Sequence, residues 1–263
     1  MKHLQLHIAD LVATVTLSRP EVRNAFNDEM IAEVTETFNS LATRDDVRCI
    51  VLAANGTAFC AGADLNWMRS MADYTREQNL ADAGQLAAMM RTVYQCPKPT
   101  IARIQGDVYA GGTGLVAACD MAVAVDTAHF CLSEVKLGLL PSTISPYVLR
   151  AMGARAAHRY FLTAERFNAL EALRIGFVHE VVAPEALDAK VAELSHALVS
   201  AGPEAVRLCK KLVQDVAGHD ITPELVNMTI ASIADMRVSV EGREGLQSFL
   251  QKRKPNWLPK QES

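Results

Sequence analysis

The chain has 263 residues, enough to bury a sizeable core as one large domain or as one domain with a small appendage. A 50% hydrophobic, 21% charged composition is ordinary for a globular protein, and a formal net charge of −4 excludes a nucleic-acid binder that works through a broadly basic surface. The longest apolar stretch, Leu115 to Val125, is interrupted by Asp120 and is too short to span a bilayer; no targeting pattern opens the chain, so a cytoplasmic protein without membrane contact is expected.

Alternation at Leu4, Leu6 and Ile8, then at Val15 and Leu17, predicts two short strands with a turn at Ala9-Asp10. Arg19-Pro20 ends the second, because the residue before proline disfavours helix. Asn27 or Asp28 can cap a helix from about Glu29 to Leu41, with Met30, Val34, Phe38 and Leu41 on one side. Cys49 to Ala53 reads as a buried strand, and Thr75 to Tyr94 as a helix that stops before Pro97. Thr100 to Ile104 is the next strand, followed by a short apolar helix from about Gly112 to Cys119 and a buried strand from Met121 to Val125. Leu137 to Pro141 leads into a helical region that includes Tyr147 to Met152. From Ala154 the pattern is mainly helical: Pro184 to Leu198, Pro203 to Val216 and Pro223 to Met236 carry proline in or near the first turn, and Glu244 to Lys252 is a further candidate. Alternating strands and helices give an α/β class. Gly202-Pro203 is the expected boundary between a core of residues 1–202 and a helical region of residues 203–263.

Two glycine-centred loops carry the chemistry. One is Phe59-Cys60-Ala61-Gly62-Ala63-Asp64; the other is Ala110-Gly111-Gly112-Thr113-Gly114, with Leu132-Ser133-Glu134 soon after it. Each stands between a strand-like run and a helix, where backbone N–H groups are unpaired and glycine permits close approach. Two such groups converging on one oxygen would stabilise negative charge there, and a nearby carboxylate would move protons. Other readings fit less well. The second loop lacks the GxGxxG spacing and a P-loop lysine, His179-Glu180 has no second histidine, and no GxSxG is present. The seven histidines form no ligand cluster, so no metal is expected. None of the six cysteines forms a CxxC pair, which suits buried thiols in a reducing compartment, and Cys60 reads as a packing residue.

The chain resembles the crotonase (enoyl-CoA hydratase/isomerase) superfamily. The likeness runs through Leu17-Ser18-Arg19-Pro20, Asn24-Ala25, Ile50-Val51-Leu52, Ala61-Gly62-Ala63-Asp64, Lys98-Pro99-Thr100-Ile101-Ala102, Gly106, Gly111-Gly112 and Cys119-Asp120, and ends at Phe249-Leu250-Gln251-Lys252-Arg253-Lys254-Pro255. It implies a spiral of ββα units with a C-terminal helical region that builds a homotrimer or a dimer of trimers. It also implies an acyl-CoA thioester substrate with no further cofactor. By the same resemblance the amides of Ala63 and Gly111 are the oxyanion-hole donors and Glu134 is the acid-base residue. Val22, Arg23, Ala25, Ala61, Asp64 and Leu65 would lie along CoA, with Arg23 on its phosphates and Lys252 and Arg253 reaching CoA of the same or a neighbouring subunit.

Gly114 departs from the pattern, because two-glutamate hydratases of this family carry glutamate there. Three explanations stay open: an isomerase using Glu134 alone, a hydratase using Glu134 alone, or a space left for a branched or carboxylated acyl chain. Asp64-Leu65-Asn66-Trp67-Met68, Glu134-Val135-Lys136-Leu137-Gly138-Leu139 and Ile144-Ser145-Pro146-Tyr147 resemble bacterial hydratases of leucine and isoprenoid breakdown, which act on 3-methylglutaconyl-CoA or longer analogues. The resemblance therefore favours hydration of a branched or carboxylated 2-enoyl-CoA. An isomerase, or a non-catalytic binding protein on the same fold, is the alternative.

Overall fold

The structure is a computed structural model that describes residues 1–258. The chain opens with the hairpin β1 (Leu4–Ala9) and β2 (Val12–Leu17), which pair antiparallel from Leu4↔Leu17 to Ala9↔Val12. Asn27 caps α1 (Asp28–Ala42): its side chain accepts the Met30 amide at 2.9 Å, and Asp28 and Glu29 add negative charge at the positive end of the helix. Met30, Val34, Phe38 and Leu41 are buried, as the period of the sequence implies.

Next come β3 (Cys49–Ala54), β4 (Ala58–Cys60), α2 (Leu65–Met71) and α3 (Arg76–Gln95). Thr75 and Gln78 form a reciprocal capping box that fixes the start of α3. The chain continues through β5 (Thr100–Ile104), β6 (Asp107–Tyr109), α4 (Gly111–Ala118), β7 (Met121–Val125), β8 (His129–Cys131) and α5 (Ser145–Thr163). Then follow β9 (Phe167–Asn168), α6 (Ala169–Arg174), β10 (Glu180–Val182) and α7 (Leu187–Ser200).

Six strands form one sheet in the order β1-β2-β3-β5-β7-β10, parallel except for the opening hairpin. Every residue of β3 is buried, as expected for a strand in the middle of a parallel sheet. A second sheet has the order β4-β6-β8-β9, with β4, β6 and β8 parallel. Thus β3-β4, β5-β6 and β7-β8 each place one strand in each sheet, and helices return the chain for the next pair. This is the ββα spiral of crotonase-like proteins. At the second corner a side chain on Gly106 would run into the Thr57 carbonyl, so only glycine fits.

Two compact units result, Met1–Leu194 and the residues from Ser195 onward. The division falls within α7, ahead of the expected boundary at Gly202-Pro203, because the helix runs through the change of partners. In the second unit α8 (Pro203–Val216), α9 (Pro223–Val238) and α10 (Val240–Leu250) pack together. The Glu241 carboxylate accepts the Glu204 and Ala205 amides at 3.0 and 2.8 Å, which caps α8 from α10. The three-residue strands of the second sheet and the strands β9 and β10 escaped the sequence pattern, which read the stretch after Ala154 as mainly helical. Strands of two or three residues are too short to show a period.

Candidate active site

Three adjacent parallel strands of the second sheet end side by side. Cys60 of β4 leads to Ala63, Tyr109 of β6 leads to Gly111, and Cys131 of β8 leads to Glu134. Carboxyl ends of neighbouring parallel strands are where α/β sheets place ligands. The spiral therefore gathers three chemically relevant positions that are remote in sequence.

The two glycine loops touch. Gly62 has φ +90°, a conformation that favours glycine, and a methyl group there would meet Ala110 Cβ at 2.9 Å and the Tyr109 carbonyl at 3.2 Å. The Phe26 amide donates to the Gly62 carbonyl at 2.7 Å, and the Asp64 amide donates to the Phe26 carbonyl at 2.8 Å. This bridge uses the residues on either side of Ala63, so the Ala63 N–H has no protein acceptor among the described residues. Gly111 is the first residue of α4, where an amide has no intrahelical partner. The Ala110 amide donates to the Cys131 carbonyl at 2.8 Å and ties the second loop to β8, and the helix dipole adds positive potential at Gly111. A methyl group on Gly112 would meet Cys60 Cβ and its carbonyl at 2.8 Å, so α4 begins against the end of β4.

Glu134 opens a single 3-10 turn, Glu134–Leu137, which ends at Gly138 with φ 71°. Its carbonyl accepts the Leu139 amide at 3.1 Å, which folds the following loop back on it. One carboxylate oxygen, Oε2, is buried and has no hydrogen-bond partner among the described residues. Burial pushes the carboxyl pKa up, and only a backbone hydrogen bond opposes the shift. A buried oxygen without a partner is costly in a purely structural residue and useful in one that exchanges protons.

The model of the enoyl-CoA hydratase/isomerase family matches residues 7–260. The chain belongs to the enoyl-CoA hydratase/isomerase family. It is 44% identical to an enoyl-CoA hydratase of Shewanella pealeana, with a TM-score of 0.94 over 97% of this chain and 96% of that one. A Mycobacterium smegmatis enoyl-CoA hydratase is 36% identical, with a TM-score of 0.91 over 97% and 98% of the two chains. The mouse mitochondrial enoyl-CoA hydratase domain-containing protein 3 is 30% identical, over 94% of this chain and 82% of its own.

The strip expected to face CoA is brought together in part. The Ala61 amide donates to the Arg23 carbonyl at 3.0 Å, so residues 22–26 run beside the first loop. Val22, Arg23 and Leu65 are exposed there, and the Arg23 guanidinium makes no ion pair among the described residues. Ala25 is buried and its carbonyl accepts Arg19 Nη1 at 2.6 Å; it supports the strip from beneath. Lys252 lies in the second unit, exposed, in the turn that ends α10, and Arg253 beside it is held by the Glu244 carboxylate.

The Asp64 carboxylate accepts Arg19 Nη2 at 2.9 Å and, as the cap of α2, the Asn66 amide at 2.8 Å. One expectation is corrected: the space expected beside Gly114 is filled. A methyl group there would clash with Ile144 Cγ2 and stand 2.5 Å from Ile144 Cβ and 3.3 Å from Met90 Cε. Nothing in the local sequence signalled that Ile144 meets Gly114, because the contact arises from tertiary packing alone. Cys60 is the packing residue expected: burial pushes its thiol up to about 12, far from a nucleophile's range.

The Arg19–Asp64 pair holds the first loop from behind. Burial pushes the Asp64 carboxyl up, but the Asn66 amide and the Arg19 guanidinium outweigh it and hold the pKa below the usual range. Both side chains are nearly buried, so Asp64→Ala strands a guanidinium and should cost about 3–5 kcal/mol at neutral pH. A carboxyl depressed in the fold stabilises above its unfolded value of about 3.9 and loses that contribution as pH falls through the lower folded value. The gap between wild type and variant in urea unfolding should therefore shrink in acid. A loss below about 1 kcal/mol at neutral pH would instead describe a solvent-screened pair.

Proposed function

We propose that this chain hydrates a 2-enoyl-CoA, with a branched or carboxylated acyl chain as the substrate class. The observation that carries the reading is the buried Glu134 oxygen, without a hydrogen-bond partner among the described residues, just beyond the end of β8 and beside the strand ends that carry the Ala63 and Gly111 amides. In the proposed reaction the Glu134 carboxylate takes a proton from water as the water oxygen adds to C3. The electron pair of the double bond moves onto the thioester oxygen, where the two amides receive it. Glu134 then returns the proton to C2. One carboxyl serves as base and then as acid, so the cycle balances without a second acid or a cofactor.

The substrate class rests on the likeness of residues 64–68 and 134–147 to leucine and isoprenoid hydratases. Ile144 denies the acyl branch the place beside Gly114. The exposed side chains of Leu137, Leu139 and Leu140, which follow Glu134, offer the apolar surface instead. A second reading, double-bond migration, is favoured by one observation. The nearest atoms at Gly114 are the hydrocarbon of Ile144 and Met90, which does not order a water. Glu134 would then take a proton from C2 of a 3-enoyl-CoA and return it to C4. Linear, branched and carboxylated enoyl-CoA esters, assayed by mass for water addition and by chromatography for migration, separate the readings. Hydration of none of them, with migration of the 3-enoyl esters, would replace the first reading by the second.

The second unit supports assembly of identical chains into trimers. Its helices expose Val213, Ile230, Ile233, Val238, Phe249 and Leu250, with Phe249 80% exposed. Surface of that kind on a single chain marks an interaction face. Sedimentation of the full chain should give a trimer or a dimer of trimers, and Phe249→Asp with Leu250→Asp should lower the mass. A wild-type protein that sediments as a monomer would end this reading.

A further inference from the structure

Gly114 lies three residues beyond Gly111 in α4, on the same face of the helix and one turn from the proposed oxyanion donor. Ile144 is buried, 2% exposed, and its side chain occupies the volume that any side chain at position 114 would need. Ile144 also closes the segment that Glu134 opens. That segment starts with the 3-10 turn, folds back through the Leu139 amide on the Glu134 carbonyl, and ends where α5 begins. One short stretch of chain thus supplies both the carboxyl and the hydrocarbon that covers α4.

We propose that Ile144 is a specificity-determining residue, the apolar wall that closes the acyl site one turn beyond the Gly111 amide and so sets which acyl chains are accepted. This rests on the acyl-CoA reading of the site. Gly114 and Ile144 act as a complementary pair. The small residue on the helix admits the large one from the loop, and the bulk of the wall comes from a segment that α4 does not control. Close packing makes such a wall selective, because a side chain already in contact leaves no slack for another methylene. One methylene more or less in an apolar pocket typically changes discrimination by roughly tenfold or more.

The test compares kcat/KM for short, branched and longer enoyl-CoA esters in wild type, Ile144→Val and Ile144→Ala. Ile144→Ala should shift the ratio of longer or branched to short substrates by about tenfold toward the larger chains, and Ile144→Val should shift it less. A wall that only stabilised the fold would lower Tm and all kcat/KM values together and leave the ratio unchanged. An unchanged ratio in folded, active Ile144→Ala overturns the proposal and leaves the acyl-CoA reading standing. A wild type inactive on every enoyl-CoA ester overturns both. Gly114→Ala alone, if it keeps the wild-type Tm, would show that the contact on which the wall depends is absent, and would also overturn it.

Discussion

Glu134→Gln is expected to lower turnover by roughly 10²-fold or more, because it keeps the size of the side chain and removes its proton transfer. The fold should not suffer. A buried carboxyl whose pKa is raised in the folded state costs stability once pH rises above its unfolded value, and the amide escapes that cost. Loss of activity at an unchanged or higher Tm is therefore the expected signature. The wild-type pH profile supplies the second readout. Glu134 must begin as a carboxylate, so the acid limb of kcat/KM should lie above the ordinary glutamate value of about 4.3, and the Gln variant should lack that limb. Near wild-type turnover in the variant, with chemistry shown to limit the rate, would assign the proton to another group.

How much of this was legible in the sequence depended on the range of the interaction behind each feature. The cap at Asn27, the apolar face of α1 and the buried run of β3 follow from neighbours in sequence, and they stand where the pattern puts them. The two glycine loops were legible as loops, because Gly62 needs φ +90° and Gly111 opens a helix. Their meeting was not: Gly62 lies so near Ala110 that an added methyl group would come within 2.9 Å of its Cβ, and this depends on β4 and β6 lying side by side, a fact of topology. The packing partners of Asp64 and Gly114 were hidden for the same reason. Arg19 is far from Asp64 in sequence and Ile144 is far from Gly114, and each partner answers a question that the local motif left open. A missing side chain read from sequence looks like space; in a close-packed protein it is more often another residue's place.

Removing one amide donor should be the other large effect, and Ala63→Pro is the variant that deletes it. The bridge to Phe26 uses the Gly62 carbonyl and the Asp64 amide, so proline at position 63 deletes an N–H that has no acceptor among the described residues. Gly62→Ala is a poorer probe: its new methyl group would meet Ala110 Cβ at 2.9 Å in a backbone conformation with φ +90°, disturbing both loops at once. Loss of one oxyanion-hole donor typically lowers kcat by about 10²–10³-fold, and the proline ring adds bulk where the thioester oxygen would sit, so the loss should reach at least that range. The loss should appear in kcat/KM for every acyl chain alike, since the thioester is common to all of them. That uniformity distinguishes it from the chain-dependent effect expected at Ile144. Retention of the wild-type near-UV spectrum and Tm would show that the loop is intact. An intact Ala63→Pro enzyme with activity within a few fold of wild type would mean that the charge developing on the thioester oxygen is held elsewhere, and that the meeting of the two glycine loops serves packing alone.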